Sequence, residues 1–127
     1  MSKDDDLAFL RYFFRSYIPP FTKSIPETEK EYEKIYLSSG EIWQHLYQIF
    51  DRVPLPNDIK RKMIELFEIS DEVWIIYLST IHKESYKRVM MKDAVRDKWK
   101  KMQKLADQIM SYVRKTPELE EPLPFNI

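Results

Sequence analysis

Gly40 is the only glycine among 127 residues, and all eight prolines fall between stretches of helical periodicity. Glycine usage in ordinary chains is about 7%. Tight β-hairpins draw on glycine for positive φ. Phosphate loops, dinucleotide fingerprints and nucleophile elbows need it where backbone meets a ligand or turns sharply. One glycine builds none of these. The chain therefore reads as helices punctuated by proline, a residue that ends a helix because it lacks the amide donor and clashes with the preceding turn.

The proline positions divide the sequence. A first helix is predicted over 5–17, ending before Pro19-Pro20, with Leu7, Leu10, Phe14 and Tyr17 as a stripe widened by Phe9 and Phe13. Ser24-Ile25-Pro26-Glu27 has the spacing of a capping box, and a second helix follows to about residue 37. Ser38-Ser39-Gly40-Glu41 reads as a break with a second capping box. A third helix then carries Ile42, Leu46, Ile49 and Phe50. A fourth starts near Asn57 and buries Ile59, Met63, Leu66 and Phe67, and Ser70 can cap the next.

Residues 71–115 contain neither glycine nor proline. They are expected to form one long C-terminal helix, bent near residues 90–94. Residues 73–78 are apolar all round, as in a central buried helix. Further on, Val95, Trp99, Met102, Ala106, Ile109 and Val113 recur in steps of three and four, a heptad-like seam. The expected architecture is all-α: a single domain over 1–115 forming a four- or five-helix bundle, then a Pro/Glu-rich extended tail over 116–127.

Composition narrows the chemistry. The chain has no cysteine, which removes disulfides, thiolate metal sites and a cysteine nucleophile together. Asp4, Asp5 and Asp6 stand where an export signal carries positive charge. The ten uncharged residues 73–82 are about half of the roughly 20 needed to span a bilayer. A cytoplasmic protein without membrane association is expected.

Candidate reactive groups are sparse. Glu41 and His45 lie one helical turn apart but lack a nucleophile or a third group, and His82 continues an apolar face. Two scattered histidines do not supply a zinc ligand set. The three early aspartates lack the spacing and glycine of a calcium loop; they suit a helix N-terminus instead. Residues 59–78 outline a helix-turn-helix, yet its second helix would open with Asp71 and Glu72, which phosphate repels. No catalytic residue, metal or cofactor is expected, and no small-molecule substrate.

Two features remain. The seam of Val95, Trp99, Met102, Ile109 and Val113 could meet a protein partner or a second copy, because aromatic and methionine side chains are enriched at interface cores. Core packing is the competing reading. The second feature is charge. Residues 83–115 carry 11 basic against 4 acidic side chains, a net of +7, in a chain whose total is zero. Arg88, Lys92, Arg96, Lys100, Lys101 and Lys104 fall in this stretch, and Arg96, Lys100 and Lys104 share a helix face opposite the seam. That face could meet phosphates, or be solvated and neutralised by Asp93, Asp97 and Asp107. The favoured expectation is a non-enzymatic adaptor, inhibitor or self-associating protein, of the kind viruses and mobile elements carry. The alternative is a nucleic-acid-binding regulator.

Overall fold

Helical periodicity carries through almost every segment of the computed structural model, which describes residues 3–120 and the side chains of residues 5–119. Among the described residues six α-helices follow one another: α1 (Lys3–Ser16), α2 (Glu29–Ile49), α3 (Asn57–Thr80), α4 (Tyr86–Met90), α5 (Asp93–Arg114) and α6 (Pro117–Glu120). Short 3-10 turns cover Pro19–Thr22 and Phe50–Arg52. Among the described residues there is no strand.

Helix α1 buries Leu10, Phe13 and Phe14 and stops before Pro19-Pro20, as its sequence predicts. The first 3-10 turn then drives Phe21 inward. Helix α2 departs from expectation at both landmarks. Its N-cap is Thr28, whose hydroxyl accepts the Glu31 backbone N–H at 3.2 Å, and not Ser24. It also runs straight through Ser38-Ser39-Gly40. Tyr32, Ser39, Trp43 and Leu46 share one buried face; keeping that face whole outweighs the roughly 1 kcal/mol that an interior glycine costs a helix. Helix α3 likewise passes through Ser70, which is buried within it. The helix-turn-helix outline of residues 59–78 is not realised: residues 68–70 are helical, with no turn between two helices.

The opposite error occurs at residues 71–115, where no single long helix exists. Three helices, α3, α4 and α5, share that stretch without glycine or proline. Ser79 and Thr80 hydroxyls both bond back to the Ile76 carbonyl, at 3.0 and 2.7 Å, competing with the helical ladder. Ser85 then takes extended backbone and caps α4 by accepting the Arg88 N–H at 3.3 Å. Lys92 turns extended again before Asp93 opens α5.

Paired side chains give the helix directions. Tyr36 meets Trp74, and Trp43 meets Phe67, so α2 and α3 run antiparallel with aromatic rings filling the interval. Ion pairs Lys98–Glu72 and Lys101–Glu65 set α5 antiparallel to α3. The seam residues Val95, Trp99, Met102, Ile109 and Val113 are all buried in this core, so the expected partner interface is interior. The physical reason is that α5 is strongly two-faced and α3 supplies apolar surface directly opposite. Each such large side chain contributes about 1.5–3 kcal/mol by burial. The tail also differs at its start. Residues 117–120 form α6, Leu119 is buried, and Arg11 donates through Nε to the Glu118 carbonyl at 2.5 Å. The expected tail residues 121–127 lie outside the described residues.

Two consequences are measurable. Asp6, buried on α1, accepts two hydrogen bonds from Arg52, at 2.6 and 3.2 Å. These bonds, with Arg52's charge, hold its carboxyl below the ordinary 3.8 against the opposing effect of burial. A depressed folded value stabilises the fold above about pH 4 and is lost as pH falls through that lowered value. Asp6→Asn should therefore flatten the acid limb of melting temperature against pH; parallel limbs would show that the pair contributes nothing. The second concerns Tyr32, whose buried hydroxyl has no hydrogen-bond partner among the described residues. An unsatisfied buried polar group costs about 1–3 kcal/mol. Tyr32→Phe should accordingly be as stable as the parent or more so in urea denaturation, and a clear loss of stability would mean the hydroxyl is satisfied in solution.

Candidate functional site

The described surface presents two distinct helix faces. One is apolar and lies on α2 and α3. The run 73–78 does not form a fully buried helix, because the neighbours of α3 leave one of its faces uncovered. Val73 and Tyr77 point inward, whereas Ile75 is 65% and Leu78 50% exposed. They are three residues apart and so adjacent on the helix surface. Beside them, Tyr36 stacks on Trp74 with ring centroids 4.2 Å apart and planes 9° from parallel. The Tyr36 hydroxyl donates to Asp71 at 2.7 Å. The next residue, Leu37, turns outward and is 61% exposed. Gly40 follows one turn later, and a Cβ added there would meet nothing within 4 Å.

The α3 side of this face is acidic. Residues 63–80 carry Glu65, Glu68, Asp71 and Glu72 and neither Lys nor Arg. The Tyr77 hydroxyl faces two carboxylates of α2, Glu29 and, at 2.5 Å, Glu33. Burial first, then these carboxylates, pushes the Tyr77 phenol far up. Burial also raises Tyr32, and it raises Tyr36 and Tyr86 to about 12, with Asp71 adding to Tyr36 and Glu31 and Glu29 to Tyr86. These phenols are thus hydrogen-bonding and stacking groups at neutral pH.

The second face is the basic ridge of α5. Of the six residues expected to contact nucleic acid, two are engaged: Lys92 with Glu84 at 2.9 Å and Lys101 with Glu65 at 3.0 Å. Arg88 is exposed on α4. Arg96, Lys100 and Lys104 are exposed along α5, spanning about 12 Å at 1.5 Å per residue. Among the described residues these three form no ion pair. The intruding Asp93, Asp97 and Asp107 are also exposed.

The remaining sequence candidates fall apart spatially. His45 is half-buried against Phe9, ring centroids 4.4 Å apart, while His82 is exposed in the turn after α3. Asp6 is committed to Arg52, and the Asp4 side chain lies outside the described residues. Among the described residues, no three His, Asp or Glu side chains are grouped to hold a metal ion, and no helix is long and apolar enough to cross a membrane. The apolar α2–α3 face escaped sequence reading. Its signal was present: an all-round apolar run needs neighbours on every side, and a chain with so few long helices cannot supply them. No protein-family model, curated protein or solved structure matches the chain.

Gly40 permits a direct test of this geometry. It lies inside α2 without positive φ, and its surroundings are open. Gly40→Ala should raise stability by about 1 kcal/mol, the helix-propensity difference. A destabilised variant would show that the chain itself needs the glycine.

Proposed function

We propose that this protein acts without catalysis, as a module that binds a partner protein through the α2–α3 face. The observation that carries the reading is the exposure of Leu37, Ile75 and Leu78 beside the stacked Tyr36–Trp74 pair. Exposed apolar side chains scattered singly are ordinary; clustered ones with an aromatic floor mark interaction surfaces. Gly40 supports it. The fold does not require glycine there, whereas a partner helix lying close to α2 does. The acidic surroundings, Glu33, Glu41, Glu68 and Asp71, select the occupant. It is a helix with an apolar stripe flanked by Lys or Arg, docked along the α2–α3 junction. Charge complementarity of this kind governs encounter rate and partner choice.

A second reading, nucleic-acid binding by α5, is favoured by the exposure of Arg96, Lys100 and Lys104, which form no ion pair among the described residues. The two readings separate experimentally. A helical peptide with leucines at i, i+3, i+4 and i+7 and lysine flanks should bind the protein, and its glutamate-flanked counterpart should not. Ile75→Lys with Leu78→Lys should weaken that binding at least about tenfold, since central apolar anchors carry most interface energy. Both residues are exposed, so the helical circular-dichroism spectrum should persist. The adaptor reading fails if neither peptide binds. It also fails if a nucleic-acid gel shift at physiological salt is abolished by Arg96→Glu, Lys100→Glu and Lys104→Glu while the α3 variant leaves all binding intact.

A further inference from the structure

The α5 ridge does not stand alone. It borders a cleft of about 350 Å³ lined by Ser24, Ile25, Arg96, Trp99, Lys100 and Gln103. No carboxylate among the described residues lines it. Its far wall is the extended chain after the first 3-10 turn, and that wall is fixed in place. The Trp99 indole N–H and the Gln103 side-chain amide both donate to the Lys23 carbonyl, at 2.9 and 3.0 Å. Ser24 and Ile25 are therefore held opposite Arg96 and Lys100 by bonds from α5 itself. The two cations are one helical turn apart, with Cβ atoms about 5–6 Å from each other, close enough to converge on one oxyanion.

A second cleft of about 500 Å³ adjoins the first and shares Ile25 and Arg96 with it. Its other walls are Pro26, Glu27, Tyr86, Lys87, Met90 and Met91. The Tyr86 ring is positioned by its hydroxyl, which donates to the Pro26 carbonyl at 2.6 Å. Met91 is 60% exposed. An anionic subsite thus opens into an apolar one, with Arg96 at the junction.

We propose that these joined clefts bind an organic phosphate: the phosphate monoester between Arg96, Lys100 and the Ser24 hydroxyl, and a flat apolar body against Met91 and Tyr86. Guanidinium suits the anion because its planar donors match two phosphate oxygens at once. Ammonium adds a movable point charge. The sizes fall in or near the roughly 300–1,000 Å³ range of small-ligand sites. Glu27 lies in the apolar subsite, where it can accept a hydrogen bond from an amino group on that body and would repel a second anion. This goes beyond the expectation that no small molecule is bound, and it is independent of the α2–α3 face.

The Trp99 indole N–H and Gln103 amide are the natural reporters, since both line the anionic subsite. Proton–nitrogen correlation spectra of the full chain should be recorded with inorganic phosphate, adenosine 5′-monophosphate, adenosine and a short oligonucleotide, each at constant ionic strength. Both phosphates should shift the two signals saturably, and the nucleotide should bind more tightly than inorganic phosphate. Adenosine alone should leave them unmoved. Arg96→Ala with Lys100→Ala should weaken nucleotide binding about tenfold or more, as expected when charge-assisted hydrogen bonds are removed. Lys104→Ala, on the same ridge but outside the clefts, should not. Persistence of the Trp99 signal in the double variant verifies that the site is still built. The proposal is overturned if shifts follow ionic strength alone, if the double variant binds as the parent does, or if only an oligonucleotide binds and Lys104→Ala weakens it equally.

Discussion

The indole of Trp99 is the interaction on which the arrangement of the other elements depends. Its ring is buried near Phe21 of the first 3-10 turn and Tyr32 of α2, with centroids 6.2 and 6.3 Å away. Its N–H donates to the Lys23 carbonyl. One side chain on α5 therefore fixes the turn after α1, the start of α2 and the extended chain between them. A buried indole needs a partner for its donor, and here the partner is backbone that has left regular structure. The bond satisfies both groups and gives the irregular segment a single position. Both small clefts take one wall from that segment.

Around this junction the charges are sorted by helix. Helix α3 faces α5 across Glu65–Lys101 and Glu72–Lys98, exposed pairs of the kind that contribute little to stability, about 0–1 kcal/mol. Their larger effect is on what stays available. They occupy the side of α5 that faces α3 and leave Arg96, Lys100 and Lys104 turned to solvent. On α3 they similarly leave Glu68 and Asp71 beside the exposed apolar pair. A chain with zero formal charge thereby presents an acidic apolar face and a basic ridge on different helices. That separation makes selective binding by either face physically reasonable, because complementary fields favour one class of partner and disfavour the other.

The aromatic content explains why α2 and α3 leave an open junction. Trp43 and Phe67 stack with centroids 3.5 Å apart, and Tyr36 and Trp74 repeat the arrangement further along. Large rings bridging two helices hold the backbones apart. An outward leucine or isoleucine beside such a pair remains uncovered even though its own helix is well anchored.

Helical class, the extent of α1, the start of α3 and the apolar stripe from Val95 to Val113 were legible in the sequence, because each depends on local periodicity and on proline, whose effects act within one or two turns. Punctuation by serine and glycine was not legible. Gly40 and Ser70 lie inside helices, while Ser85 opens a new helix in the middle of a stretch that contains neither glycine nor proline. A cap residue stops a helix only when the surrounding core gains nothing from its continuation, and that gain is set by residues distant in sequence. The same reason separates seam from surface. The sequence could show that Trp99 and Met102 on one helix, and Ile75 and Leu78 on another, are apolar at helical spacing. Only the packing of α3 between α2 and α5 decided that the first pair is interior and the second exposed, since a two-sided neighbourhood covers some faces of a helix and leaves the rest to water.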